Sequence, residues 1–252
     1  MASLELPIVR TRGWYWKAHG EEYERSKVSD IEQFCGWAFL IDIARECENT
    51  KYGVSSKWTD AHPDEAEEYV KSLRRRDQAL VATLFLTGGR VVEVLQLRKK
   101  HFSFGEKWIW VTGMDVVKRW KRNKETRKTV SVYTTRGRFS IPTDEPLVPY
   151  MANWVMEVKN EDDYVFPSPK GEGHLSTVRA WQIVKRLGRR LDTNLFDHWF
   201  RGMRASQLAE EYGFDLHQLI RFFNWKSLDT ALHYAQLSTE ALEKQMRPQS
   251  YS

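Results

Sequence analysis

The sequence has few of the features that mark secreted, metal-binding or membrane proteins. Cysteine occurs only at Cys35 and Cys47, which is too few for a disulfide framework, and their spacing matches no metal motif. No apolar run approaches the ~20 residues that a transmembrane helix needs. Internal repeats and low-complexity stretches are absent, and we expect no signal peptide ahead of the fold. These absences predict a cytoplasmic protein with no membrane association, no structural metal and no bound cofactor.

What the sequence does contain is typical of a folded globular chain. It has 252 residues, of which 41% are hydrophobic and 29% charged, and its eleven tryptophans favour packed or stacking surfaces. A chain of this length fits one large domain, or one domain with a smaller appendage. We expect a short helical N-terminal segment over residues 1–57, as a reduced or truncated part, and a main domain over 58–252.

Positive charge is concentrated in one segment. The formal net charge is +5. Between Lys118 and Arg138, nine Lys or Arg residues stand against the single acid Glu125, so the rest of the chain is close to neutral. A basic segment on a near-neutral body is typical of a protein that binds a nucleic-acid backbone. The same run, taken alone, also fits a solvated flexible loop.

Hydrophobic periodicity predicts a mixed α/β fold that is mainly α-helical, with a small antiparallel β-sheet. Strands are expected over 108–112, 130–133 and 138–141, with the basic segment forming one long hairpin or two. Helices are expected from Asp30 to about Glu48, from Pro63, and over 147–158, 177–191, 201–212, 215–223 and 237–246. The inward faces are expected to include, in order, Phe34, Trp37, Ala38, Ile41 and Ala44; Trp181, Val184, Leu187 and Leu191; and Leu216, Leu219, Ile220 and Phe223.

Several chemically capable residues recur at regular intervals. Arg90 follows a Gly-Gly turn, with Glu93 one helical turn later, and His198 precedes Arg201 by three residues. Trp225 and Tyr234 follow near the C-terminus, nine residues apart. Two guanidiniums and an imidazole can bind an oxyanion, an indole can donate one hydrogen bond, and a phenol can act as nucleophile.

In this order and at these intervals, the residues resemble the tyrosine recombinase (phage integrase) family over about residues 60–245. LTGGRVVEVLQLRKKHF, from Leu86 to Phe102, resembles the family's T-G-x-R-x-x-E-x-x-x-L run, and His198–Arg201 matches His-x-x-Arg. Trp225 occupies a position that is usually His and is Trp in some members, and Tyr234 has the spacing of the nucleophile. The chain departs from the family at Gly202, where many members have a second His, and by one extra residue before Gly213. The resemblance implies a tyrosine recombinase-like catalytic domain, and integrases of archaeal viruses or plasmids are among the candidates.

The resemblance assigns a role to each of these residues. Arg90 and Arg201 would clamp the scissile phosphate, with His198 and Trp225 as further donors and Glu93 as a supporting acid. Tyr234 would attack to form a 3′-phosphotyrosine, without metal or ATP. A Lys in the hairpin would protonate the 5′-oxygen, and our choice is Lys118, with Lys121 second.

The expected partner is double-stranded DNA. The residues expected to contact it are Lys121, Arg122, Lys124, Arg127, Lys128, Arg189 and Arg190. The resemblance further implies a homo-tetramer on DNA, a dimer or monomer away from it, and association with the host nucleoid. Some relatives donate the tyrosine to a neighbouring protomer, and both arrangements stay open here.

Two alternatives to an active recombinase are compatible with parts of the sequence. Residues 206–223 also fit a helix-turn-helix, which would make the protein a non-catalytic DNA-binding regulator. That motif explains neither Arg90 nor Tyr234. A degenerate integrase that binds DNA without cutting it is disfavoured, because Arg90, His198, Arg201 and Tyr234 are all present.

Overall fold

The computed structural model describes residues 34–52, 63–122, 129–169, 173–225 and 231, with the backbone alone at 63, 64, 116–122, 129–133 and 197. The helices within these ranges are α1 (Trp37–Glu46), α2 (Pro63–Thr87), α3 (Val91–Leu95), α4 (Val148–Glu157), α5 (Thr177–Arg190), α6 (Asp197–Glu210) and α7 (Leu216–Phe223). The strands are β1 (Phe102–Phe104), β2 (Trp108–Val111), β3 (Asp115–Arg122), β4 (Thr129–Thr135) and β5 (Phe139–Pro142). The mainly helical mixed fold predicted from the sequence is confirmed.

Helix α2 forms the centre of the core. Its second half is buried on every side from Ala79 to Leu86, as expected for a helix that is apolar around its whole circumference. Helices α1, α4 and α6 pack directly against it. Because α2 ends inside the core, the turn that follows it is held in a fixed place.

The described part of the N-terminal segment packs into this same core. Leu40, Ile43 and Ala44 are the buried residues of α1, and the ring of Trp37 meets Phe85 of α2 edge-on at 5.5 Å. The predicted inward face was partly wrong, because Ala38 is exposed and Leu40 and Ile43 are buried in its place. The helix is oriented so that its larger aliphatic side chains, Leu40 and Ile43, are buried.

The β-strands form two separate antiparallel units. The three-stranded sheet has the order β1-β2-β5, with Val111 opposite Phe139. Strands β3 and β4 pair with each other and, among the described residues, with no other strand, so they form a two-stranded arm. The strands predicted over 108–112, 130–133 and 138–141 are present, the hairpin is confirmed, and β1 and β3 are additional.

Side-chain caps fix the ends of α5 and α7. Ser176 accepts a hydrogen bond from Arg179 N at 3.2 Å, and Asp215 accepts one from Gln218 N at 2.8 Å. On α5 the prediction that Trp181 points inward was wrong, because this side chain is 50% exposed. The buried stripe of α5 runs through Ala180, Ile183, Val184 and Leu187 instead.

Two further boundary results concern the C-terminal helices. Helix α6 begins at Asp197, four residues before the predicted start, so His198 lies inside it. In α7, Leu219 and Phe223 are buried as predicted, while Leu216 and Ile220 are only partly buried and Phe222 joins the core. The predicted start of the first helix at Asp30 and the helix over 237–246 lie outside the described residues. No helix in the described ranges is long and apolar enough to cross a bilayer.

Candidate active site

The turn between α2 and α3 carries Arg90, and its two glycines have different roles. Gly88 has φ +55°, and a Cβ there would lie 2.3 Å from Cε1 of Phe223. Gly89 does not have a positive φ, but its Cβ would lie 2.3 Å from Cε of Met114. The turn thus needs glycine once for backbone conformation and twice for close packing.

Arg90 stands at the N-terminus of α3 and is held there by Glu93. The carboxylate accepts hydrogen bonds from the Arg90 backbone N–H and from Nη1, each at 2.8 Å. Glu93 is 1% exposed, whereas the Arg90 side chain is 33% exposed. The buried carboxylate therefore orients a guanidinium that still reaches the surface, which is the geometry expected of a supporting acid.

Helix α6 places His198 and Arg201 on one face, because residues three apart on an α-helix are neighbours. His198, in the first turn, is exposed. Arg201 is 3% exposed. Within one helical turn, His198 therefore lies at the surface and Arg201 lies in the core.

Arg201 joins the α2–α3 turn to the end of α7. Its Nη1 donates to the carbonyl of Gly88, 113 residues away in the sequence, and its Nη2 donates to the carbonyl of Phe223 at 3.1 Å. The Trp225 ring stacks on Phe223, with centroids 4.5 Å apart and planes at 16°. The guanidinium carbon of Arg201 lies 5.6 Å from the centre of the Trp225 ring. Three distant segments are thereby assembled around one guanidinium, two residues from Arg90.

A further arginine, which the sequence pattern places only in the general basic segment, is buried beside this assembly. Arg136 is 2% exposed and donates from Nη1 to the carbonyl of Thr87 at 2.8 Å. Its guanidinium carbon lies 3.6 Å from the ring centre of Phe139 and 4.5 Å from that of Phe222. In the sequence Arg136 is one of several basic residues between two predicted strands, and this position does not distinguish it from its neighbours.

Positive charge predominates among the buried ionic groups around the turn. Glu93 is paired with Arg90, and Glu145 receives Nη1 of Arg204 on both oxygens, at 2.9 and 2.8 Å. Arg136 and Arg201 bind carbonyls of the turn. Burial, and next the charge of Arg201, lower the pKa of Arg136 well below its usual range. A guanidinium stays protonated in proteins, so this direction reports an unfavourable environment for the cation.

The β3–β4 arm places Lys118 at an irregularity in the pairing. Val117 is opposite Tyr133 and Arg119 is opposite Val132, so the pairing register shifts at Lys118, as it does at a β-bulge. Lys121 and Arg122 lie in the regular part of β3, opposite Val130 and Thr129. The backbone pairing therefore distinguishes the position of Lys118 from that of Lys121.

Other predicted site residues fall partly outside the described ranges. Tyr234 lies outside them, as do three of the predicted DNA contacts, Lys124, Arg127 and Lys128. On α5, Arg189 is exposed. Arg190 is instead engaged by the N-terminal segment, with Nε 2.6 Å from Oε1 of Glu46 and Nη1 donating to the carbonyl of Asn49 at 2.9 Å. Its guanidinium therefore has partners within the protein, while the side chain remains 36% exposed.

Comparison with known proteins identifies the family. The family model described as the phage integrase family matches residues 61–241. The chain belongs to this family. It is 25% identical over 187 residues to tyrosine recombinase XerA of Pyrococcus furiosus, covering 71% of this chain and 58% of that protein. It is 28% identical over 176 residues to tyrosine recombinase XerC of Alcanivorax borkumensis, covering 68% and 50%. The chain thus spans about half the length of the curated relatives it matches.

Solved structures of a site-specific recombinase and a transposon integrase have a similar fold. A solved structure of the XerH site-specific recombinase in a post-cleavage complex with difH substrate matches with a TM-score of 0.57 and 16% identity, over 88% of this chain and 54% of that one. The Tn1549 transposon integrase with circular intermediate DNA matches with a TM-score of 0.51 and 16% identity, over 84% and 65%. Membership of the family does not favour the helix-turn-helix regulator. In keeping with this, α6 is buried from Trp199 to Ala209, and α7 contributes a carbonyl to the Arg201 site.

Proposed function

We propose that this protein is a site-specific DNA recombinase that cuts and rejoins strands through a 3′-phosphotyrosyl intermediate at Tyr234. The observation that carries the proposal is the convergence of Arg90 and Arg201 on one turn, where the Gly88 carbonyl accepts from Arg201 two residues before Arg90. Each guanidinium is a planar fork of N–H donors, the group best suited to bind the oxygens of a phosphate.

The proposed chemistry is a transesterification. The Tyr234 oxygen attacks phosphorus while His198 takes the phenol proton, the P–O bond to the 5′-oxygen breaks, and that oxygen leaves. Arg90 and Arg201 stabilise the negative charge of the pentavalent phosphorane, with hydrogen bonds from exposed His198 and from the Trp225 indole N–H. The phosphotyrosine conserves the energy of the broken ester, so a 5′-hydroxyl can reseal the strand without ATP.

The departing 5′-oxygen needs a proton, for which we propose Lys118. Its place at the bulge of β3 sets it apart from Lys121 in the regular ladder. A substrate with a 5′-thio leaving group needs no proton. Such a substrate should therefore restore cleavage by Lys118→Ala, and rescue of Lys121→Ala alone would transfer the role to Lys121.

The proposed partner is duplex DNA, bound along the basic β3–β4 arm and by Arg189 and Arg190 of α5. Lys121, Arg122, Lys124, Arg127 and Lys128 add charge on or near this arm. Binding through phosphate contacts predicts an affinity that falls steeply as salt rises. We further propose assembly into a homo-tetramer on DNA, action at the host nucleoid, and a catalytic domain over 58–252 with 1–57 as a short helical N-terminal segment.

Covalent trapping tests the proposal and does not require a defined target sequence. A library of nicked duplexes of randomised sequence is incubated with the protein, and covalent complexes are recovered under denaturing conditions. The nick lets the short 5′-terminated fragment diffuse away, so the adduct accumulates. Peptide mapping should place the DNA on Tyr234, and sequencing should recover the preferred site.

Two variants sharpen this result. Tyr234→Phe should keep DNA binding and form no adduct, whereas Tyr150→Phe, which removes a partly buried hydroxyl on α4, should form it as the wild type does. An adduct that persists in Tyr234→Phe, or one mapped to another residue, would refute the assigned nucleophile.

A further inference from the structure

Arg136 combines deep burial with incomplete hydrogen bonding. Its Nη1 binds the Thr87 carbonyl, but Nε and Nη2 have no hydrogen-bond partner among the described residues. No carboxylate in the described part of the chain lies within ion-pair distance of it. A buried cation without a counterion is costly, so a protein that keeps one needs a compensating use for it.

The position of Arg136 links two parts of the proposed site. Its backbone N–H donates to the carbonyl of Met114 at 2.7 Å, at the root of the β3–β4 arm. Its side chain binds Thr87, the residue before Gly88, whose carbonyl is held by Arg201. Arg136 and Arg201 also lie against the same ring, with guanidinium carbons 5.8 and 4.8 Å from the centre of Phe223. Two buried guanidiniums therefore donate hydrogen bonds to adjacent carbonyls of this turn.

We propose that Arg136 is a positioning residue of the phosphate site, which fixes the Arg90 turn from the root of the basic arm and adds an uncompensated positive charge beneath the bound phosphate. This inference rests on the proposed function. The Arg136 guanidinium lies against the rings of Phe139 and Phe222, so we assign it no direct contact with DNA. Its charge acts through low-dielectric surroundings, where electrostatic effects on the more highly charged transition state are strengthened.

The test separates charge from hydrogen bonding. Arg136→Gln keeps an N–H donor for the Thr87 carbonyl and removes the charge, whereas Arg136→Lys keeps both. Single-turnover cleavage and DNA affinity are measured on the selected duplex, and again on one with a neutral methylphosphonate at the cleaved position. The methylphosphonate removes one negative charge from the transition state, so it reduces the need for a cation.

The expected result is specific to a charge effect. Arg136→Gln should cleave the phosphodiester about 10- to 100-fold more slowly, below the ~10²–10³ of a direct oxyanion donor. Its DNA affinity should stay close to that of the wild type. The defect should shrink several-fold on the methylphosphonate, and Arg136→Lys should recover much of the rate. Wild-type cleavage by Arg136→Gln, or equal defects on both substrates, would overturn the proposal.

Arg204→Met combined with Glu145→Gln is the matched control for packing, because removing both members of this buried ion pair leaves no carboxylate without its counter-charge. Arg204 is equally buried and also lies near Phe222, at 5.8 Å, but its charge is balanced by Glu145. Any defect that the double variant causes should be the same on both substrates. If Arg136→Gln does not fold, Arg136→Met replaces it, because a thioether packs well against aromatic rings.

A readout independent of cleavage separates this inference from the proposed function. Inorganic phosphate should raise the thermal midpoint of the wild type and of Arg136→Lys more than that of Arg136→Gln, relative to chloride at equal ionic strength. Equal stabilisation of all three would refute the charge effect. Failure of the wild type to form any Tyr234 adduct, with the phosphate effect intact, would instead refute the recombinase.

Discussion

Replacing Gly88 with alanine tests how the structure holds the Arg90 turn. At φ +55°, a residue with a Cβ costs about 1–2 kcal/mol relative to glycine. The new Cβ would also lie 2.3 Å from Phe223, whose ring must shift, and overpacking of this kind typically costs about 1–3 kcal/mol. Together these effects should lower the free energy of unfolding by about 2–5 kcal/mol, a large part of the 5–15 kcal/mol of a typical domain.

The same shift should damage the proposed site, because Phe223 supplies a carbonyl to Arg201 and stacks on Trp225. Thermal unfolding should show a midpoint lowered by roughly 4–20 °C, at about 2–4 °C per kcal/mol for a chain of this size. Adduct formation at a temperature where the variant is folded should also fall sharply.

Two other glycines provide controls. Gly173 has φ +71° with nothing within 4 Å of its added Cβ, so Gly173→Ala should show the backbone cost alone. At Gly137 neither a positive φ nor a nearby atom opposes a Cβ, so Gly137→Ala should leave stability almost unchanged. If Gly88→Ala melts no lower than Gly173→Ala, the close packing of the turn against Phe223 is refuted.

Three more substitutions probe the groups around the site. Glu93→Gln keeps only one acceptor oxygen for the two N–H donors of Arg90. Adduct formation should therefore slow about tenfold or more, and urea denaturation should show a free energy of unfolding lowered by about 1–3 kcal/mol. An unchanged rate of adduct formation would show that Glu93 does not support the site. Glu145→Gln leaves the Arg204 cation without its counter-charge and should lower the free energy of unfolding by about 3–5 kcal/mol, whereas a loss below 1 kcal/mol would show that the pair is dispensable. The Nδ1 of His101 accepts a hydrogen bond from the backbone N–H of Arg98. Burial, and then the charge of Lys100, lower the pKa of His101 below its usual value of 6.5. Below pH 6.5 the unfolded chain therefore binds more protons than the folded chain, and the free energy of unfolding should decline as the pH falls. His101→Gln keeps an acceptor without titrating, so its thermal midpoint should lack that decline, and a parallel decline in both proteins would exclude His101 as its source.

Much of the fold could be predicted from the sequence because local patterns agreed with tertiary packing. The cap at Ser176, the buried core of α2 and the hairpin were all visible as spacing or composition. The wrong predictions concern which residues of an amphipathic helix face the core, because more than one apolar face fits the same sequence. Trp181 is apolar and adjoins the buried stripe of α5, but Ala180 and Ile183 occupy the core position. Hydrophobicity alone does not fix the rotation of a helix at the edge of its apolar face.

The site was predictable where residue spacing reflects chemistry, and not where it depends on three-dimensional burial. Arg90 with Glu93, and His198 with Arg201, are close in sequence, so their helical spacing predicts their proximity. Arg136 meets Thr87 across 49 residues, and no periodicity links them. Arg190 likewise forms an ion pair with Glu46 across 144 residues, and no periodicity links these two residues.

The most direct measurement is a crystal structure of Tyr234→Phe bound to the duplex recovered by covalent trapping. The guanidiniums of Arg90 and Arg201 should both lie within about 2.7–2.9 Å of non-bridging oxygens of a single phosphate, the one at the cleaved position. Binding of the two guanidiniums to different phosphates, or of neither to DNA, would contradict the proposed mechanism.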